Sequence, residues 1–301
     1  MRRLFVAVLT VLLALPLGLA TVAAQDATPI AGASPASGGP YPEVAVTITK
    51  DAIQVASDQI PSGYVRLSVT NSSDDENGIG LVAVPAGESL DTLGQATPEP
   101  NNFLPPFLYT ATVAGGPTSI PTGETWTQIV HLDPGQWIIF PQNDQRPVEV
   151  TAAETADSVS AAPAADATIT ETDFAFAGFE QLAAGPQTVA VTNQGAQPHM
   201  LDFFQVPDGT TMDQVEAALS TPDGATPAPG GLQESDIKLV ANGQVLLQSS
   251  GTTVWMDVDL QAGTYVAVCF VIDPETGQPH AMEGMVDLFQ VGGAGMATPA
   301  G

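Results

Sequence analysis

A few side chains in the second half of the 301-residue chain have the chemistry of metal ligands. The chain contains three histidines and one cysteine, and two of those histidines, His199 and His280, lie on either side of Cys269 in the sequence. Met285 follows shortly after the second of them. A sole cysteine cannot form an intramolecular disulfide, so burial, an intermolecular bridge, or a reactive or metal-bound thiolate has to explain it.

These residue types suit the transfer of electrons by copper. Such a site needs two imidazoles and one thiolate in a trigonal plane, with a long and weak bond to an axial thioether. Thiolate is a soft ligand that stabilises the reduced ion, and imidazole accommodates both oxidation states. Two histidines, one cysteine and one methionine supply this donor set, which predicts one bound copper ion.

Three motifs surround these side chains. They read Asn193-Gln-Gly-Ala-Gln-Pro-His199, Gly263-Thr-Tyr-Val-Ala-Val-Cys269 and Pro279-His-Ala-Met-Glu-Gly-Met285. They resemble the plastocyanin and azurin family of blue, type 1 copper proteins, the cupredoxins. Members of that family show Asn-x-Gly-x-x-x-His, Gly-x-Tyr-x-x-x-Cys and Pro-His-x-x-x-Gly-Met in the same order.

The resemblance covers about residues 167–291 and implies both a fold and a ligand set. It implies a cupredoxin-type β-sandwich in which His199, Cys269 and His280 are the equatorial ligands. Met285 would then be the axial ligand.

One loop departs from the family pattern. Ten residues separate Cys269 from His280, where plastocyanin-like members have only a few. Some copper nitrite reductases also carry a longer loop here. The insert contains Asp273-Pro-Glu-Thr-Gly277, which predicts a turn and a small hairpin. Met282 is a second candidate for the axial position, and the Gly-Met pair favours Met285.

An internal repeat indicates a duplicated domain. Val65-Arg-Leu-Ser-Val-Thr-Asn71 matches Gln187-Thr-Val-Ala-Val-Thr-Asn193, and Leu81-Val-Ala-Val-Pro-Ala-Gly87 matches Phe203-Phe-Gln-Val-Pro-Asp-Gly209, each shifted by 122 residues. The runs are rich in β-branched and aromatic residues and are bounded by turn residues. The predicted fold class is all-β, with two tandem cupredoxin-like Greek-key β-sandwiches.

The first copy lacks the candidate ligands. Asn77 stands where the second copy has His199, and Pro141 stands where it has Cys269. We therefore expect a degenerate cupredoxin-like domain without metal ligands. The second copy also carries Thr211-Met-Asp-Gln214, the pattern of a capping box, which predicts a helix over residues 212–219.

Low-complexity segments rich in Thr, Pro, Ala and Gly divide the chain. We expect a signal peptide (1–24), a disordered leader (25–42), the first domain (43–151), a linker (152–166), the second domain (167–292) and a flexible tail (293–301).

The first residues have the features of an export signal. Arg2 and Arg3 precede an apolar run over residues 4–20, and small residues up to Ala24 suit cleavage by signal peptidase. The paired arginines also resemble a twin-arginine signal, although ordinary secretion is favoured. The run is too short for a membrane span. We expect an exported protein, either secreted or in the cell envelope or periplasm.

The charge balance limits the kinds of partner. The chain has 6 basic and 33 acidic residues and a formal net charge of −27. Nucleic acid and anionic lipid would be repelled, whereas a basic redox partner would be attracted.

The expected function is one-electron transfer at the copper site. Two other classes stay open: an exported cupredoxin-fold binding or structural module without copper, and a copper storage or delivery protein. Multicopper oxidases and nitrite reductases need several more histidines for a second copper centre, and only His131 is left over. Nucleophile elbows, His-Glu-x-x-His pairs and phosphate loops are absent from the sequence. The sequence therefore predicts a carrier rather than an enzyme.

Overall fold

A computed structural model describes residues 40–90, 106–143, 145–221 and 230–292. The predicted signal peptide, most of the predicted leader and the predicted tail lie outside these ranges. No helix in the described ranges is long and apolar enough to cross a membrane.

The first copy is built from nine strands. They are β1 (Glu43–Thr49), β2 (Ile53–Val55), β3 (Gln59–Pro61), β4 (Gly63–Ser72), β5 (Ile79–Ala83), β6 (Val113–Gly115), β7 (Thr125–Leu132), β8 (Gly135–Pro141) and β9 (Val148–Ala153). A short 3-10 helix, Pro106–Tyr109, precedes β6.

The second copy contributes nine more strands and a helix. They are β10 (Ala167–Thr172), β11 (Ala175–Ala177), β12 (Gly185–Asn193), β13 (His199–Val206), α1 (Met212–Leu219), β14 (Lys238–Leu239), β15 (Val245–Gln248), β16 (Thr253–Leu260), β17 (Gly263–Val268) and β18 (Val286–Val291). The predicted capping box is present at the start of α1, where the Thr211 side chain accepts a hydrogen bond from the Gln214 amide. Shorter 3-10 turns include His280–Glu283, just before β18.

The two copies have the same strand order. In the first sheet, β2-β1-β4-β7 of the first copy corresponds to β11-β10-β12-β16 of the second. In the second sheet, β9-β8-β5-β6 corresponds to β18-β17-β13-β15. The prediction of an all-β sandwich fold is confirmed, with the same strand order in both copies.

Both sheets continue from one copy into the other. β16 pairs with β7 through Trp255 and Ile129, and β15 pairs with β6 through Gln248 and Ala114. The result is one 8-stranded sheet facing one 10-stranded sheet. The copies are thus joined edge to edge, in addition to the covalent connection. β9 extends to Ala153, two residues into the predicted linker, because β3 pairs with it there.

Alternating side chains form a core that is shared by the two copies. In β4, Val65, Leu67 and Val69 are fully buried while the intervening residues are partly exposed, as expected for a strand with one face inside. The same apolar cluster contains Val189 and Leu201 of the second copy.

Polar side chains bridge the junction between the copies. The Asn242 Oδ1 atom accepts a hydrogen bond from the Thr127 amide at 3.0 Å, and the Gln128 side chain donates to the Gln244 carbonyl at 2.6 Å. Because buried polar groups are costly to leave unpaired, these bonds fix how the copies meet.

This shared core predicts that the copies unfold together. Leu67→Ala, at a fully buried position of the first copy, should lower the free energy of unfolding of the whole chain by about 2–5 kcal/mol through the cavity that it creates. Denaturant unfolding followed by circular dichroism should show one transition that shifts as a whole. Leu201→Ala in the second copy is the matched variant and should shift the same transition. Two transitions, of which each variant moves only one, would contradict this expectation.

Candidate metal centre

The three predicted equatorial ligands come from three different elements. His199 is the first residue of β13, Cys269 directly follows β17, and His280 begins the 3-10 turn before β18. β13 and β17 are antiparallel neighbours in which Asp202 is opposite Val268. The start of one strand and the end of the other therefore lie at the same end of the sandwich.

The donor atoms of these side chains converge on one point. The Nδ1 atoms of His199 and His280 are 3.1 Å apart, and the Cys269 Sγ atom lies 3.5 Å from Nδ1 of His280 and 3.9 Å from Nδ1 of His199. All three residues are fully buried. Ligand bonds of about 2 Å in a trigonal plane would separate the donor atoms by about 3.5 Å. The spacing and the donor types therefore fit a copper ion.

Backbone hydrogen bonds hold the long loop in place behind these atoms. The His280 amide donates to the Val271 carbonyl at 2.8 Å, and the Ala281 amide donates to the Cys269 carbonyl at 2.9 Å. The Met285 amide donates to the His280 carbonyl, and the Cys269 amide donates to the Met285 carbonyl. The extra residues of the loop thus form a hairpin that returns His280 to the thiol.

The two candidate axial residues have different surroundings. Met285 is fully buried in an apolar cluster that also contains Cys269 and Met200. Met282 is 50% exposed, the largest exposure of any bulky apolar side chain in the described residues. Gly284 stands between them with a φ of 116°, a left-handed conformation that lets the chain turn from the 3-10 helix into β18. Burial favours Met285.

The outer nitrogens of both imidazoles have acceptors of their own. The His199 Nε2 atom is 3.1 Å from the Asp173 Oδ1 atom, and the His280 Nε2 atom is 3.1 Å from the Gln197 Oε1 atom. A proton on each Nε2 leaves the Nδ1 lone pair available to a metal, which is the usual arrangement behind metal-bound histidines.

Asp173 occupies a socket made of backbone amides. Its carboxylate accepts hydrogen bonds from the amides of Ala196 and Gln197 at 3.0 and 3.1 Å. A Cβ atom on Gly195 would lie 2.4 Å from the Asp173 Oδ1 atom and 2.6 Å from the His199 Nε2 atom. The glycine of the first motif is therefore required for this close approach.

The tight turn between β10 and β11 supplies a second contact. Phe174 follows Asp173 in the turn, and its ring packs edge-on against the His280 ring with centroids 5.0 Å apart. Its φ of 65° is unusual for a bulky residue, and such conformations persist where the surroundings enforce them. Sequence reasoning missed Asp173, Phe174 and Gln197. The glycine of the first motif marks the close approach, but it does not show which segment makes it.

Burial keeps the donor groups neutral before a metal binds. It lowers the pKa of His199, against the opposing effect of Asp173, and together with the neighbouring His199 it lowers the pKa of His280 to about 4. Burial, with a smaller contribution from Glu171, raises the pKa of the Cys269 thiol. Binding of a metal by the Cys269 thiolate would therefore release the proton of the thiol.

Two buried carboxyl groups in this copy were also missed from the sequence. Glu171 is fully buried and Asp202 nearly so, and within the described part of the chain their carboxyl oxygens have no hydrogen-bond partner. Burial raises the pKa of each group to about 8. They occur in otherwise ordinary strand patterns, which do not distinguish an inward-facing acid from an outward-facing one.

The matching end of the first copy has amides where the second copy has donors. The Asn77 side chain donates to the Gln145 Oε1 atom at 2.8 Å, and the Gln142 Oε1 atom accepts from the Thr118 hydroxyl and the Ser119 amide. Within the ranges that the structure describes, His199, Cys269 and His280 form the one group of three or more His, Cys, Asp or Glu residues suited to a metal ion.

The similarity of this chain to known proteins is low. No protein-family model and no curated protein sequence matches the chain. Similar solved structures are cupredoxin-fold copper proteins. A reduced auracyanin from Roseiflexus castenholzii is 17% identical, covering 38% of this chain and 99% of its own, with a TM-score of 0.26. A multicopper oxidase is 12% identical, covering 83% of this chain and 88% of its own, with a TM-score of 0.23. The copper nitrite reductase of Nitrosomonas europaea is 12% identical, covering 83% and 93%, with a TM-score of 0.22.

These similarities correct one prediction. The sequence predicted a carrier rather than an enzyme, and that exclusion is wrong, because the similar structures include multicopper oxidases and nitrite reductases, which are enzymes. The exclusion depended on missing motifs and on the histidine count. Neither observation excludes catalysis by a chain of this fold.

The buried acids predict how stability depends on pH. Folding raises the pKa of Glu171 and of Asp202 to about 8, so the folded state holds protons that the unfolded chain releases. The stability that these two groups contribute to the metal-free protein should therefore be complete below about pH 4 and should be lost as the pH rises to about 8, by up to about 1.4 kcal/mol per pH unit for each group. Denaturant titrations across this range measure the slope.

Isosteric variants identify the groups responsible for that slope. Glu171→Gln and Asp202→Asn should each flatten it, whereas Glu154→Gln, at an exposed position, should leave it unchanged. A slope that neither buried variant alters would show that these carboxyl groups are not the cause.

Proposed function

We propose that this protein binds one copper ion through the Nδ1 atoms of His199 and His280 and the Sγ atom of Cys269, with Met285 as the axial ligand, and that it transfers single electrons at this site. The observation that supports the proposal best is the convergence of three fully buried donor atoms at separations of 3.1 to 3.9 Å. Bound copper would supply a one-electron redox couple.

The protein would fix the positions of the ligands and exclude water from them. Each imidazole is fixed through its Nε2 atom, by Asp173 or Gln197, and the Cys269 amide donates a hydrogen bond to the Met285 carbonyl. Phe174 packs against His280, and the cluster around Cys269 is apolar. Ligands that keep the same positions in both oxidation states need little reorganisation, and this favours fast electron exchange.

We further propose that the protein acts outside the cytoplasm, in the cell envelope or periplasm or as a secreted protein. The export features of the first 24 residues support this location. The formal net charge of −27 suits a basic redox partner, because opposite charge speeds encounter at low ionic strength.

Titration of the purified protein with copper(II) tests the proposal. One equivalent should bind and produce a visible thiolate-to-copper absorption band. Tight binding of copper(I) without such a band under copper(II) would instead favour storage or delivery. No binding of either ion would favour a cupredoxin-fold module without copper. Either of the last two results would overturn the proposal.

Two ligand variants separate the roles of thiolate and thioether. Cys269→Ser should abolish the visible band, because the thiolate is the source of colour, although weak binding through the imidazoles could remain. Met285→Leu should keep the band and raise the reduction potential, because loss of a weak donor disfavours the oxidised ion. Absorption spectroscopy and redox titration check both. Met282→Leu is the matched control and should change neither the band nor the potential. If Cys269→Ser leaves the spectrum and the affinity unchanged, Cys269 is only a core residue.

Asp173 should tune the site through His199. Asp173→Ala should lower the affinity for copper(II) by about 10–100-fold, the usual effect of removing the partner of a metal-bound histidine. It should also raise the reduction potential, because a negative charge near the ion stabilises the oxidised state. Asp173→Asn keeps a hydrogen-bond acceptor and should recover most of the affinity but little of the potential. Asp157→Ala, at an exposed position, is the control. Competition titrations and redox titrations that give wild-type values for Asp173→Ala would exclude this role.

A further inference from the structure

Part of the first copy lies against the candidate metal centre of the second. The segment Phe107–Val113, here called the cover segment, runs from within the 3-10 helix Pro106–Tyr109 to the first residue of β6. Leu108 and Val113 are buried in the same apolar cluster as Cys269 and Met285. The apolar cluster that contains Cys269 and Met285 is therefore formed by both copies.

A hydrogen bond ties the cover segment to the long loop. The Tyr109 hydroxyl donates to the Ile272 carbonyl at 2.8 Å, although the two residues are 163 positions apart in the sequence. Ile272 is 4% exposed and pairs with Pro279, the residue before His280. The bond thus reaches the base of the hairpin that carries His280.

A second tie joins the cover segment to Ser249. The Ser249 hydroxyl donates to the Ala111 carbonyl at 2.8 Å and accepts from the Val113 amide at 2.8 Å. Ser249 directly follows Gln248, which is opposite His199 across β15 and β13. The cover segment is therefore attached to the neighbours of both histidines.

We infer that the first copy closes the metal centre of the second, with Tyr109 as the positioning residue that holds the Cys269–His280 loop. This inference assigns a role to the degenerate copy, and its consequences for bound copper rest on the function proposed above. The long loop has a carbonyl and a buried apolar base within reach of the cover segment, so its extra length is used as a contact surface. Tyr109 would act through Ile272 and the hairpin.

The state of the Tyr109 hydroxyl agrees with a donor role. Burial, with a further contribution from Asp273, raises the pKa of Tyr109 to about 12. The hydroxyl therefore keeps its proton over the whole physiological range and remains available to the Ile272 carbonyl.

Tyr109→Phe removes only the hydroxyl and tests the inference. In the metal-free protein, hydrogen exchange of peptides covering residues 270–280 should speed up by about 5-fold, as expected for the loss of one hydrogen bond that holds the loop. In the copper-loaded protein, transfer of copper to a chelator should speed up by a similar factor, and the reduction potential and the visible band should shift. Ser249→Ala, which cuts the other tie, should also raise the exchange of the loop.

Tyr64→Phe is the matched control. Its ring packs on the outer face of the other sheet, against His131 and Trp255, so this variant should keep wild-type exchange and copper release. If Tyr109→Phe behaves like Tyr64→Phe in both measurements, the inference is overturned. If the wild-type protein binds no copper while Tyr109→Phe still loosens the loop, the positioning role stands and the proposed copper function fails.

Discussion

The antiparallel pairing of β13 with β17 is the constraint on which the rest of the site depends. Because Asp202 stands opposite Val268, the first residue of one strand and the residue after the other must share an end of the sandwich. His199 and Cys269 are thereby brought together before any loop is considered. The remaining donor, His280, needs only a hairpin that returns to the same end, and backbone hydrogen bonds to Val271 and Cys269 close that hairpin.

The edge-to-edge pairing of the copies covers strands that a duplication into separate domains would leave exposed. Two separate sandwiches would leave β6, β7, β15 and β16 as open edges, which invite pairing with other chains. Here each of these edges finds its counterpart in the other copy, and the buried polar contacts of Asn242 and Gln244 fix the junction. The copies therefore meet in a defined way, and this is why a segment of the first can form part of the wall around Cys269 in the second.

The sequence was sufficient for the strand order of each copy and for the three residues that converge, but not for the continuation of both sheets across the junction. Strand patterns and the repeat depend on local side chains, and His199, Cys269 and His280 stand in three motifs that can be recognised from the sequence. The supporting contacts could not be found this way. Asp173 reaches His199 from a turn 26 residues earlier in the chain, and Phe174 in the same turn packs against the distant His280. Tyr109 reaches Ile272 across the junction, and Glu171 differs from a surface acid only in the direction that it faces. Each depends on how distant segments pack.

The Cys269–His280 loop is longer than in plastocyanin-like proteins. Its contact with the first copy, at the junction between the copies, offers an explanation for this length. A short loop would take His280 directly back from the thiol and would leave no backbone facing the first copy. The longer loop turns at Asp273, whose carboxylate accepts the Glu275 amide at 2.7 Å, and buries Val271 and Ile272 at its base. Its length therefore adds apolar area and one carbonyl on the side of the cover segment without moving His280 away from the thiol. Ile272, within this insertion, accepts the hydrogen bond from Tyr109 of the first copy, so the insertion and the duplication meet at this contact.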